Sequence, residues 1–241
     1  MTPAGLLGTD ISHWEDDPAT ARGINFVQMK AAGANYCIFK ASQGQYFVDH
    51  VFLSSSWADA KNAGLIRGAY HFLDWSADAD QQADHYCDLM EQYPPDIPPI
   101  VDFEDRYNNP GRNVCVSELW TFCNLTARRL GRNPIIYTSP SYWAEFGSNA
   151  QTWLQFPLWI AHYGVIAPSI PIPWTKYTFW QYTSTGSGPT YGAEAKGIDL
   201  DVYDGTLAQL RQFCGLDVIP PQELTDAEKL AILWEAHPEL H

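Results

Sequence analysis

Pro99-Ile100-Val101-Asp102-Phe103-Glu104-Asp105 sends two carboxylates out of an apolar segment in one direction. Ile97, Ile100, Val101 and Phe103 give it a hydrophobic body, and Pro94-Pro95 and Pro98-Pro99 restrict the approach, so a buried strand is expected to begin near Ile100. Side chains two apart on a strand share a face. Asp102 and Glu104 therefore stand side by side at the strand's C-terminal end, ahead of the polar loop from Asp105 to Gly111. Buried charge is expensive unless it is paired, hydrogen-bonded or used. The stretch alone leaves two readings open: a hydrogen-bonded loop anchor, or a carboxylate site on an α/β scaffold.

The flanking chain alternates short apolar runs with helical patterns. Upstream, Leu6 to Ile11 is a strand ending at Asp10, and a short helix from Ala21 to Ala32 stops at Gly33 before the strand Tyr36-Cys37-Ile38-Phe39. Lys40 to Gly44 is expected to turn outward. Val51 to Ala63 is helical and closes at Gly64 before a strand running to Phe72, and Asp78 to Glu91 is the helix leading to Ile100. Downstream come a helix from Val116 to Leu130 with Ser117 as a possible cap, a strand at Ile135, and a short helix after Ser139-Pro140. Strands at Leu158, Thr178 and Ile198 follow, and a last helix spans Leu207 to Phe213. Helices ended by glycine and feeding strands form the βα repeat of a parallel sheet. Eight strands, beginning near Leu6, Tyr36, Ile66, Ile100, Ile135, Leu158, Thr178 and Ile198, favour an irregular (β/α)8-like TIM barrel over an open doubly wound sheet. The segments from Ala161 to Lys176 and from Thr183 to Lys196 are too rich in Pro, Gly, Ser and Thr for crossover helices, so the final quarter is expected to be loop-rich.

The 241 residues suit one catalytic domain over 1–215 with a short tail over 216–241. In the tail, Asp217 to Pro221 is a linker, and a helix from Leu224 to Trp234 carries a stripe of Leu230, Ala231 and Trp234 that could dock on the barrel or mediate self-association. With 28 acidic against 14 basic residues and a net charge of -14, a nucleic-acid surface is excluded in practice, and attraction to anionic membranes is weakened. No run approaches the roughly 20 apolar residues of a membrane span, and no secretory leader is evident. Cys37, Cys87, Cys115, Cys123 and Cys214 include no CxxC pair and are expected to be reduced, structural thiols, consistent with synthesis in the cytoplasm. His13, His71, His85 and His162 show no metal-ligand spacing; His71 is as plausibly a hydrogen-bonded rim residue, and no metal or cofactor is implied.

Asp10, Asp102, Glu104 and Asp199 fall at predicted strand ends and converge if the barrel closes, at the face where such barrels carry their sites. Tyr70, Tyr137, Trp159, Trp180 and Tyr182 are expected at the same rim, where rings stack on sugars beside acids that protonate a glycosidic oxygen. Each ring taken alone suits the core better than a ligand contact, and only their joint placement at one rim shifts the balance. The chain from Leu6 to about Cys214 also resembles the glycoside hydrolase family 25 lysozymes, the Chalaropsis-type N-acetylmuramidases common among bacteriophage endolysins. The resemblance rests on Gly8-Thr9-Asp10-Ile11-Ser12, Phe39-Lys40-Ala41-Ser42-Gln43-Gly44, Gly68-Ala69-Tyr70-His71-Phe72, Val101-Asp102-Phe103-Glu104, Trp180-Gln181-Tyr182-Thr183-Ser184 and Gly197-Ile198-Asp199-Leu200-Asp201, in that order.

The resemblance implies Glu104 as general acid, with Asp102, Asp10 and Asp199 as further catalytic carboxylates. It also implies cleavage of the β-1,4 bond from N-acetylmuramic acid to N-acetylglucosamine in peptidoglycan, with retention. Asp201 stands where many relatives have Asn, and either adds charge to the site or occupies its rim. Release from the host cytoplasm through a holin-type opening, with action on the cell wall, follows from the same likeness. An inactive peptidoglycan-binding protein and a chitinase-like glycosidase are the alternatives; the second lacks the longer DxxDxDxE strand pattern.

Overall fold

The computed structural model describes residues 3–17, 19–20 and 22–216. Alternation of inward and outward side chains builds a closed sheet from strands β1 (Leu6–Ile11), β2 (Tyr36–Gln43), β3 (Phe47–Val48), β4 (Ile66–Phe72), β5 (Ile100–Asp102), β6 (Ile135–Thr138), β7 (Leu158–Ala161), β8 (Phe179–Ser187) and β9 (Gly197–Tyr203). Eight of these form the barrel in the order β1-β2-β4-β5-β6-β7-β8-β9, closed by β9 on β1, and β3 is a two-residue antiparallel arm on β2. All eight expected strands are present. One runs the other way: β9 is antiparallel to both β8 and β1. The cause is the loop-rich final quarter, where β8 extends to Ser187 and returns through a 3-10 turn at Gly188–Tyr191. Without a crossover helix, the chain re-enters the sheet reversed.

Inward positions fill the barrel. Tyr36, Ile38, Ile66, Ile100, Ile135, Trp159, Phe179 and Tyr203 form its buried interior, closed below by Ile97 and Leu210. The alternate residues, including Phe39, Val101, Phe103, Ile136, Leu158, Ile160, Trp180 and Val202, face the helical layer. That layer comprises α1 (Phe26–Ala31), α2 (His50–Leu53), α3 (Ser56–Asn62), α4 (Ala79–Gln92), α5 (Arg112–Leu130), α6 (Pro140–Phe146) and α7 (Leu207–Cys214).

Some boundaries differ from the sequence reading. The expected helix over Val51 to Ala63 is two pieces, broken where Ser54 adopts extended backbone. The α5 helix begins a turn early, after Gly111, so Ser117 is interior rather than a cap. Lys40 to Gln43 stays in β2 through a bulge instead of turning outward. All five cysteines are buried free thiols. The expected linker and the Leu224 to Trp234 helix lie outside the described residues.

Two glycines make the interior possible. A Cβ at Gly8 would sit 2.3 Å from the Tyr36 ring, and one at Gly68 would lie 3.0 Å from Ile38. Gly8→Ala is therefore expected to lower stability by roughly 1–3 kcal/mol, the usual cost of overpacking. A urea midpoint unchanged from the unaltered protein would show that the ring can move aside.

Candidate active site

Strand parity decides what β5 does. Asp102 faces the barrel interior, Phe103 faces out, and Glu104 follows on Asp102's side one residue beyond the ladder, where Phe103 N still bonds Tyr137 O at 2.9 Å. The loop-anchor reading belongs to the neighbour, Asp105. Its carbonyl accepts from Trp75 Nε1 (3.0 Å), Tyr142 Oη (2.6 Å) and Asn109 Nδ2 (3.2 Å), and its carboxylate accepts from Tyr107 N (2.8 Å). Asp102 and Glu104 are left for the mouth. Together with Asp10, Tyr70, Tyr137, Trp159, Gln181 and Asp199 they line a cavity of about 60 Å³.

Asp199 arrives there because β9 is inverted. Its ladder partner on β1 is Asp10, so the N-terminal half of β9, not its C-terminal end, lies at the mouth. Gln181 links the two: Nε2 donates to Asp10 Oδ2 (2.7 Å) and Asp199 Oδ2 (3.1 Å), while Oε1 accepts from Tyr137 Oη (2.7 Å) and from Tyr163. Gln181 was not singled out as a site residue in the sequence, although a polar side chain inward of Phe179 on an apolar strand end is a usable signal. Lys40 was also missed. It faces Asp102 and Glu104, donates to Gln43 Oε1 (2.7 Å), and lies 4.8 Å from the Phe72 ring centre.

Three of the five expected rim aromatics line the cleft, and they do so as floor and wall, since Trp159 and Tyr137 are buried. Trp180 does not. It occupies the outward position on β8, is buried in the helical layer, and donates Nε1–H to His162 O at 2.9 Å. Tyr182 packs against that indole and borders a separate surface depression with Val165 and Leu200. His71 likewise faces away from the mouth: it is buried between Ser42 Oγ (2.8 Å) and Gln82 Oε1 (3.1 Å), and burial lowers its pKa to about 3. Asp201 shares the inward face with Asp199, but its side chain is fully buried below the cleft rather than at the rim. Its Oδ1 accepts from Trp159 Nε1 (2.8 Å), and the carboxyl hydrogen-bonds with that of Asp10.

Burial is the main force on every one of these acids. It raises Asp10 and Asp102 well above the usual carboxylate range, helped by Asp201 and Asp199 for the first and Glu104 for the second. Burial also raises Asp199 to about 6 and Asp201 to about 8. Glu104 is exposed at the mouth, yet its partly dry surroundings push it up as well, against the pull of Lys40. The whole cluster is thereby shifted toward its protonated form.

Proton-holding carboxyls over aromatic rings at the mouth of an eight-stranded barrel define a glycoside hydrolase. The chain belongs to the glycosyl hydrolases family 25, whose family model matches residues 9–191. It is 33% identical over 220 residues to Lysozyme M1 of Streptomyces globisporus, covering 86% of this chain and 70% of that protein. The bacterial lysozyme structure from Streptomyces coelicolor superposes with a TM-score of 0.76 at 27% identity, covering 88% of this chain and 98% of that one. The CTP1L endolysin structure superposes with a TM-score of 0.68 at 26% identity, over 88% of this chain and 70% of that one.

The raised acids fix the sign of a stability profile. Unfolded carboxyls with ordinary values near 3.8 release their protons first as pH rises, so the folded chain binds more protons and loses stability through about 6 for Asp199 and about 8 for Asp201. The melting temperature is expected to fall from mildly acidic to mildly alkaline pH. Asp201→Asn should remove the upper part of that fall in calorimetry, and identical profiles for the two proteins would contradict the assignment.

Proposed function

We propose that this chain is a lysozyme, an N-acetylmuramidase that hydrolyses the β-1,4 bond between N-acetylmuramic acid and N-acetylglucosamine in peptidoglycan. The observation that carries the chemistry is a buried acceptor without a partner: Asp102 Oδ1 has no hydrogen bond, and Glu104 stands beside it at the open mouth. An N-acetylated sugar supplies the missing donor. Its acetamido N–H would donate to the Asp102 carboxyl, aligning the acetamido carbonyl oxygen for attack on the anomeric carbon while Glu104 protonates the leaving sugar oxygen. In the second half, water attacks the anomeric carbon, releases the acetamido oxygen, and returns its proton to Glu104, giving retention.

In the free cleft burial raises both carboxyls, the deeper Asp102 more strongly than Glu104. Substrate reverses that order. A donated N–H favours ionised Asp102, and exclusion of water around Glu104 moves the proton to the residue that must give it. Lys40 assists by facing both carboxyls. Asp10 and Asp199, tied by Gln181, fit a role in stabilising the oxocarbenium-like charge.

The family and the lysozyme relatives support action on the cell wall. Among the described residues no helix is long and apolar enough to cross a membrane. Synthesis in a host cytoplasm and holin-type release is the delivery route we favour, supported by the likeness to an endolysin. A catalytic unit ending at 215 is supported by α7 closing at Gly215, in the left-handed conformation.

The test is digestion of purified peptidoglycan, borohydride reduction, and mass analysis of the new ends. Reduced muramic acid is expected, and reduced glucosamine would reject the muramidase reading. Glu104→Gln should lower turnover by roughly 10²- to 10⁴-fold. The penalty should be much smaller on an activated aryl glycoside, whose leaving group needs little protonation. Near-normal turnover on the glycan by folded E104Q protein would remove Glu104 from the role.

A further inference from the structure

A second cavity, of about 500 Å³, opens at the same mouth over the β1–β2 side and is lined by His13, Trp14, Asp16, Phe47 and His50 among others. We propose that it is a further glycan subsite, holding one N-acetylated hexopyranose ring of the strand beyond the two sugars that flank the cleaved bond. The proposal rests on the muramidase reading, because it extends the same substrate.

Lys40 connects cavity and cleft. Its Nζ lies 5.6 Å from the Phe47 ring centre and is within electrostatic reach of Asp102, Asp49 and Glu104. On the other side, Glu15 belongs to the same short 3-10 turn as His13 and Trp14 and lies within electrostatic reach of Asp199. A strand leaving Glu104 toward the β1–β2 side would run over this cavity.

The aromatic surface is displayed, not packed. Trp14 is 75% exposed and Phe47 is 45% exposed, so among the described residues their outer faces are left open. The scaffold holds them rigidly all the same. Fully buried Asp49 accepts from His13 N (3.1 Å) and Val51 N (3.0 Å) and pairs with His13 Nδ1 (2.7 Å), joining the turn that carries Trp14 to the segment that carries Phe47. At the rim His50 Nε2 meets Asp16 Oδ2 at 3.1 Å, and the His13 ring tilts against Trp14 at 4.6 Å. A cavity preset in this way loses little on ordering when it binds.

Its chemistry suits a sugar. Aromatic faces take the C–H faces of a pyranose, while the Asp16 carboxylate and the His50 ring offer acceptor and donor to hydroxyl and acetamido groups. The two acids at its edge, Asp16 and Asp17, disfavour the carboxylate ends of stem peptides.

Trp14→Ala and Phe47→Ala, both at exposed rings, test the subsite on peptide-free glycan. Kinetics on long strands are compared with those on the shortest oligosaccharide the protein cleaves. The expected result is a KM raised about threefold to tenfold on long strands, in line with the worth of one aromatic contact. kcat should stay unchanged, short-substrate kinetics should be normal, and Trp14→Tyr should recover binding. Unchanged KM on long strands overturns the proposal. So does an equal loss on both lengths, which would place the rings at the cleaved bond, and so does a loss seen only when stem peptides are present, which would make this a peptide pocket. Failure of the unaltered protein to cleave either length overturns the muramidase reading itself, and the subsite with it.

Discussion

The antiparallel ladder between β1 and β9 is the constraint on which the site depends. It closes the barrel, and its register sets Asp10 opposite Asp199 and Gly8 opposite Asp201. Because inward positions repeat every second residue, one register step of β9 would turn Asp199 and Asp201 out of the barrel. The reversal of β9 is equally necessary. A parallel last strand would carry Asp199 and Asp201 to the mouth in the opposite order, with Asp199 the deeper of the two. In the observed direction Asp199 is the outer acid and Asp201 the inner one, and Trp159 and Gln181 can reach them from β7 and β8.

Concentrating acids in a dry barrel is unfavourable unless they share protons and donors. The lower group solves this with few donors: Trp159 Nε1–H to Asp201, Gln181 Nε2 to Asp10 and Asp199, and a proton between Asp10 and Asp201. Asp201 Oδ2 has no donor of its own, which is intelligible when the proton it shares with Asp10 is counted. An Asn at 201 would bring its own N–H to Asp10 and end that sharing. The Asp here is therefore a difference in proton content beneath the site, felt in the cleft through Asp10 and Trp159, which line it.

Most of the barrel was legible because period-2 apolar runs bounded by glycine and proline survive as strands whatever their neighbours do. Direction was not legible in β9. An apolar strand reads the same in either sense, and only the length of β8 past Tyr182 settles it. The acids at 10, 102, 104 and 199 could be named because polar residues at the ends of apolar strands are conspicuous. The aromatics were harder. Trp159 and Trp180 look alike in sequence, yet pleat parity sends the first into the barrel and the second into the helical layer. Parity counted from the inward Gln181 would have separated them. Lys40 was misread because a bulge at Lys40/Ser42 continues a strand that composition alone would end.

What remains is to ask which acids are free to act, and unused hydrogen-bonding capacity decides it. Asp201 is buried beneath the cleft and held by Trp159. Asp10 and Asp199 each accept from Gln181, whose own carbonyl is fixed by Tyr137 and Tyr163, so both are braced from behind. A braced carboxylate can stabilise charge nearby but is poorly placed to move onto a reacting carbon. Asp102 differs, with a buried oxygen that no donor among the described residues satisfies. Glu104 differs again, with a longer side chain, an exposed position and a raised affinity for its proton. An unsatisfied acceptor beside an accessible acid of raised proton affinity is the arrangement that the proposed substrate-assisted cleavage would use.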